Sequence, residues 1–409
     1  LTPPTNVHPC PALADVRALG ALRLADMTPS RWRDADVAAP ERVTAVEVFF
    51  DVVFVFTLTQ LTRMLGADLS LAGAARALLI FGILWFMFDG YVWLPNHVSP
   101  RQAAQKLLLF VAMAGFLIAA VGVPRAFTDT GVAFGVGYVT VACVHLLLFT
   151  QADVGSALRW LAPYNLGSAL LVLVGGYAGG AAQYVLWVGA FVLQAVIPFL
   201  VPRLSWVGAA SSFHIAAAHF VERHGLLVII ALGESVVAIG MGVDVSRLTA
   251  GTIAVVVLAL ALPGCMWWTY FTDTRTAETT LAAAEDGRRV RLAIGMGFAH
   301  IPMLLGIVIA AAGIHAAVAD PGDSGSWQSA LALAGGVALF LAGIAESRRS
   351  LRVAPHGGTL ITAAAVVATV PISTAVNAAL QLAAVIAVVV AMLLVDRPSH
   401  QVTLDEAPT

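Results

Sequence analysis

Twelve apolar stretches, each long enough to cross a lipid bilayer, follow one another along this chain. They fall near 43–65, 72–94, 106–123, 130–150, 160–179, 182–201, 218–241, 250–271, 292–313, 328–346, 356–373 and 376–395. About 20 helical residues cross the roughly 30 Å hydrocarbon layer. Only 11% of the 409 residues are charged, against about 25% in a soluble domain, so no soluble core could hide this much apolar surface. The expected fold class is all-α: a polytopic transmembrane helix bundle of about 12 spans. Two boundaries are soft. Gly175, Gly176, Gly179 and Gly180 blur the turn between the fifth and sixth spans, and the last two spans nearly fuse around Pro371, which leaves eleven spans open.

The basic residues test the count. With the N-terminal tail, the C-terminal tail and every second loop placed on one side, that side holds 18 of the 22 Lys and Arg; only Arg63, Arg76, Arg125 and Arg247 fall on the other. The positive-inside rule then places both termini in the cytoplasm. Residues 1–42 mix Pro, Arg and Asp without a long apolar core and read as a cytoplasmic tail, not a secretory signal. The expected organisation is a six-helix repeat at 43–201, a cytoplasmic connector at 202–217, a second repeat at 218–395 and a tail at 396–409. A net charge of -2 offers no footprint for nucleic acid. Cys10, Cys143 and Cys265 are too scattered for a disulfide framework or a thiolate metal site. No cofactor or metal is expected; the expected partners are membrane lipids and an unknown ion or small solute.

Against this background the acidic residues inside apolar runs stand out. The first run, RVTAVEVFFDVVFVFTLTQL, carries Glu47 and Asp51; the second ends on Asp89; the seventh, HFVERHGLLVIIALGESVVAIG, carries His219, Glu222, His224 and Glu234. A bare carboxylate in hydrocarbon costs roughly several kcal/mol, so such groups face a bundle interior, a partner or a water-filled cavity. Glu47 and Asp51 are four apart and share one helix face, where their repulsion favours a shared proton; pairing of Glu47 with Arg42 or Arg101 is the bland alternative. Asp51, Asp89 and His145 are expected at one depth, in one cytoplasmic-side cluster. His219 and Glu222 share a face while His224 points elsewhere; HFVERH lacks the His-Glu-x-x-His spacing that sets two imidazoles on zinc. Glu234 lies about 18 Å along the helix from Glu222, with Gln60 and His300 as its expected polar partners. These ten residues, Gln60 and His300 included, are the candidate path residues.

The first and seventh spans both open on Val-Glu, VEVFFDVVFVFTLTQ and VERHGLLVIIALGES, and the second and eighth close on aromatic patches before Asp89 and Asp273. Six spans separate the copies, an even number, so the expected halves are parallel repeats related by an axis along the membrane normal.

The first motif and residues 219–240 resemble the bacterial low temperature requirement protein A family, over roughly residues 40–395. The likeness rests on Glu47, Phe49, Phe50 and Asp51, and on His219, Glu222, Arg223, His224, Gly225, Gly233, Glu234 and Ser235. It implies a multi-pass protein of the bacterial inner membrane and brings no molecular activity with it. Asp51, Asp89 and Glu234 at different depths favour a transporter or permease, proton-coupled in one version. A membrane-embedded enzyme using His and carboxylate groups, a sensor or scaffold, and an ion channel stay open.

Overall fold

A computed structural model describes residues 42–94, 102–150, 155–197, 215–244, 246, 249–352 and 356–396. The expected tails apart from Arg42 and Asp396, most of the connector, and Arg101, Arg203, Arg247 and Arg397 lie outside the described residues. Among the described residues the fold is all-helical, with no strand. Six helices make the first half: α1 (Ala45–Ala67), α2 (Leu71–Trp93), α3 (Ala103–Gly122), α4 (Gly131–Phe149), α5 (Gly155–Ala178) and α6 (Gly180–Ala195). The second half holds α7 (Ala217–Gly242), α8 (Ala250–Phe271), α9 (Thr274–Ala283), α10 (Asp286–Ala319), α11 (Trp327–Leu351), α12 (Gly357–Val367), α13 (Val370–Ala375) and α14 (Ala378–Val395).

Ten helical segments among the described residues are long and apolar enough to cross a membrane, with α12 and α13 together forming one of them; α6 is a shorter apolar helix of 16 residues. A polytopic bundle is therefore what the chain builds. The glycine-blurred turn resolves at Gly179 and Gly180, whose φ of +62° and +52° only glycine adopts without strain. The last two spans are separate. The chain turns at Val376–Asn377, the Asn377 side chain caps the Leu380 amide at 2.8 Å, and both α12 and α13 pack against α14. Pro371 does not make this break. It sits in the first turn of α13, where a missing N–H is harmless. Two features depart from the sequence reading. The short amphipathic α9 occupies an expected loop, burying only Ala277 and Leu281. Helix α10 runs 34 residues, extending past 292–313 at both ends.

Several helix contacts of the first half have counterparts in the second. Helix α3 lies on α1 and α4 as α10 lies on α7 and α11; α6 lies on α5 and α2 as α14 lies on α12 and α8. The close approaches recur as well. A Cβ on Gly115 of α3 would stand 2.9 Å from the Gly137 carbonyl of α4, and one on Gly306 of α10 would stand 2.6 Å from the Gly336 carbonyl of α11. Small residues at these crossings let two backbones touch. The turn before the second helix is also shared. Asp68 accepts from the Ser70 amide at 3.1 Å and Asp244 from the Ser246 amide at 2.9 Å. Ser70 then caps α2 and Thr249 caps α8.

Candidate functional site

Helices α1 and α7 carry a buried ladder. Glu47 and Asp51 face His219 and Arg223, one i,i+4 pair opposite another. His219 Nε2 lies 2.8 Å from Glu47 Oε2, and Arg223 Nη2 donates to Asp51 Oδ1 at 3.2 Å. Eight residues beyond Asp51, the Thr59 hydroxyl donates to Glu234. Residue numbers rise together on both helices, so α1 and α7 run parallel. The ladder spans about 18 Å at 1.5 Å per residue. Every member but Thr59 is buried, Asp51 completely. A buried carboxylate needs a hydrogen-bonding partner, and each rung supplies one across the helix boundary, a neutral hydroxyl in the case of Glu234. Arg223 is held further by the Tyr91 carbonyl at 2.8 Å and lies over the Phe50 ring, 6.0 Å from its centroid.

These contacts redraw the expected clusters. Glu47 and Asp51 each have their own partner. Asp51 pairs with Arg223 and not with Asp89 or His145. Its charge is met by a cation four residues past His219, a partner the sequence reading left among the motif residues. Glu234 is buried and hydrogen-bonded to the first helix, as expected, but through Thr59 and not through Gln60 or His300. Gln60 is buried one residue on. Glu222 does not join His219. It is exposed, and its carboxylate accepts from the Val43 amide at 3.3 Å.

A second group of polar residues surrounds an open pocket in the first half. The empty space in and in front of it, open solvent included, is about 720 Å3. Its polar lining comes from Asp89 of α2, His145 of α4, Asn165 of α5 and Gln194 of α6; Ile294 and Phe298 of α10 bring in the second half. Trp93 donates to Asp89 Oδ2 at 3.1 Å. Behind the pocket, Tyr138 donates to the Gln194 carbonyl at 3.2 Å and Gln194 donates to Asn165 Oδ1 at 3.4 Å. That order leaves the Asn165 amide nitrogen facing His145 Nδ1 at 3.1 Å. The amide assignment follows from the network: Nδ1 accepts, and the His145 proton sits on Nε2, against Gly90.

Between pocket and ladder lie two more imidazoles. His224 Nδ1 is 2.9 Å from the Phe220 carbonyl, and His300 Nδ1 is 2.8 Å from the Met296 carbonyl. Tyr270 donates to His300 Nε2 at 2.9 Å, and the His224 and His300 rings stand 4.5 Å apart. His224 Nε2 faces Asp89 Oδ1 at 4.0 Å. Among the described residues no three His, Cys, Asp or Glu side chains gather as a metal-ligand set. Sequence reasoning missed Thr59, Asn165, Gln194 and Tyr270. Uncharged residues in apolar helices carry little signal, although the matched i,i+4 spacing of Glu47/Asp51 and His219/Arg223 was there to be read.

An all-helical apolar bundle with a charge-paired interior defines a multi-pass membrane protein. The sequence narrows it. The family described as bacterial low temperature requirement A protein (LtrA) matches residues 42–394, and the chain belongs to that family. It is also 30% identical over 347 residues to the uncharacterized protein RA0937 of Rhizobium meliloti (strain 1021), covering 82% of this chain and 85% of that relative.

Proposed function

We propose that this chain is a transporter or permease for an ion or small solute, seated in the bacterial inner membrane with both termini cytoplasmic. The observation that carries the reading is the pocket at Asp89 and His145. It is concave, mixed polar and aromatic, and walled by helices of both halves, as small-molecule sites are. Support comes from the recurring packing, which suits two parallel repeats related by an axis along the membrane normal, a layout used for carrying a substrate between halves. The arginine asymmetry supports the orientation. The α1–α7 ladder ties the halves together, and the Thr59–Glu234 contact offers a polar step deeper along the same interface.

The test is a flux screen in proteoliposomes over cations, anions and small neutral solutes. One solute class should move faster than in empty vesicles. Asp89→Asn should cut that flux about tenfold or more, the loss of one charge-assisted contact. Glu234→Gln should slow it less. Flux at the empty-vesicle level across the whole screen would falsify the reading, and unchanged flux in Asp89→Asn would move the pathway away from the pocket.

A further inference from the structure

We propose that Asp89 is shared between two cations: a proton held against His224 on one side and a small organic ammonium ion taken into the pocket on the other, so that binding the ammonium ion expels the proton. This deepens the transport reading, on which it rests, by naming the substrate class and the coupling ion.

The proton half follows from tautomers. A backbone carbonyl only accepts, so His224 Nδ1, 2.9 Å from the Phe220 oxygen, carries the ring hydrogen. In the neutral ring Nε2 is then a bare acceptor. It points at Asp89 Oδ1 from 4.0 Å. Both atoms are sealed from solvent and lack a hydrogen-bond partner among the described residues. Two buried acceptors facing each other are unfavourable until something positive sits between them. One proton turns the pair into imidazolium and carboxylate.

The neighbouring groups leave that role to this pair. His300 on α10 is saturated, its Nδ1 on the Met296 carbonyl and its Nε2 taking the Tyr270 hydroxyl of α8. Arg223, beside His224 on α7, directs its hydrogen bonds to Asp51 of α1 and the Tyr91 carbonyl of α2. His219 faces Glu47. Around Asp89 stand Trp93 on its own helix, Gly297 on α10 and, across the pocket, His145 on α4.

The ammonium half follows from the lining. Among the described lining residues Asp89 is the one with a formal charge, and Phe86, Trp93, Phe149, Tyr164 and Phe298 present aromatic surface around it. Ring faces attract a cation, most strongly where water is excluded. The Asp89 side chain is 24% exposed while its Oδ1 is sealed, so its open surface lies away from His224. No covalent bond changes in the exchange: the ammonium ion enters, one proton leaves, and the net charge of the site is conserved.

The experiment is calorimetric titration of the full chain in nanodiscs with benzylammonium, run in two buffers of different ionisation enthalpy, with benzyl alcohol as the neutral control. Saturable binding should release about one proton per ammonium ion, and affinity should rise with pH across the range in which the proton is held. Benzyl alcohol should bind about tenfold or more weakly. Asp89→Asn should lose ammonium binding. His224→Gln should make it nearly independent of pH and remove the proton release. Absence of saturable binding to the unmodified chain, equal binding of the alcohol, or proton release persisting in His224→Gln overturns the proposal. The unmodified chain alone decides the first two, whatever the variants do to folding. Flux of another solute without ammonium binding sinks this proposal and spares the transport reading; ammonium binding with proton release but no flux of any solute does the reverse.

Discussion

Each half ends its second apolar span near an aspartate, and the halves treat it differently. In the second half Asp273 accepts from Arg348 Nε at 2.7 Å, and the same guanidinium reaches Asp396 at 2.8 Å and the Thr359 hydroxyl at 2.7 Å. In the first half Asp89 has the Trp93 indole and looks onto a pocket. The helix corresponding to α11 is α4, and where α11 brings an arginine, α4 brings His145, tied to the neutral Asn165. The two regions thus carry different solutions. The second half closes its carboxylate with a cation built into the chain, and the first leaves that place open.

The largest effect expected from breaking this contrast is loss of the built-in cation. Arg348→Met leaves Asp273 and Asp396 beside each other without it, and should destabilise the protein by about 3 kcal/mol, the low end for a buried pair because both carboxylates are partly exposed. Thermal unfolding in detergent reads the change; a loss below about 1 kcal/mol would mean that the carboxylates simply face water.

Next come the glycine crossings. A Cβ on Gly336 would meet the Ala310 backbone nitrogen at 2.3 Å, while one on Gly115 meets the Gly137 oxygen at 2.9 Å. Gly336→Ala should cost about 2 to 3 kcal/mol and Gly115→Ala about 1 kcal/mol, the range for overpacking. Equal losses would show that both crossings relax alike.

Asp89→Asn should behave opposite to Arg348→Met. The new amide can donate toward His224 Nε2, and the sealed Oδ1 without a partner goes, so the melting temperature should rise, with a gain of about 0.5 to 1 kcal/mol. A clear drop in melting temperature would place Asp89 among the structural anchors.

The smallest effect concerns the shared turn. The Ser70 side chain and amide, with Arg76 behind them, hold the Asp68 carboxyl below its ordinary 3.8. A lowered carboxyl contributes stability that is present above the unfolded value and is lost as pH falls through the folded one. The gap between the unmodified protein and Asp68→Asn should therefore be visible at neutral pH and close below about pH 4. A gap that persists at pH 2 would assign it to packing.

Much of this arrangement could be read from the residues. The spans were legible because bilayer thickness imposes a length, and Glu47, Asp51 and Glu234 because a carboxylate in an apolar run demands company. What the company would be was less legible. Asp51 was matched with Asp89 by depth alone, and depth cannot distinguish helices on different sides of a bundle. Arg223 answers it because α1 and α7 are neighbours. The pocket depends on Asn165 and Gln194, ordinary residues in single helices that acquire meaning when α4, α5 and α6 converge.

The ladder also constrains how the chain is made. Glu47 and Asp51 leave the ribosome 172 residues before His219 and Arg223. At about 5 to 20 residues per second, the first helix waits on the order of 10 to 30 s for the groups that neutralise it. During that wait its carboxylates must carry protons or stay beside water at the insertion machinery. The first span therefore reaches its final setting only after the seventh has been synthesised.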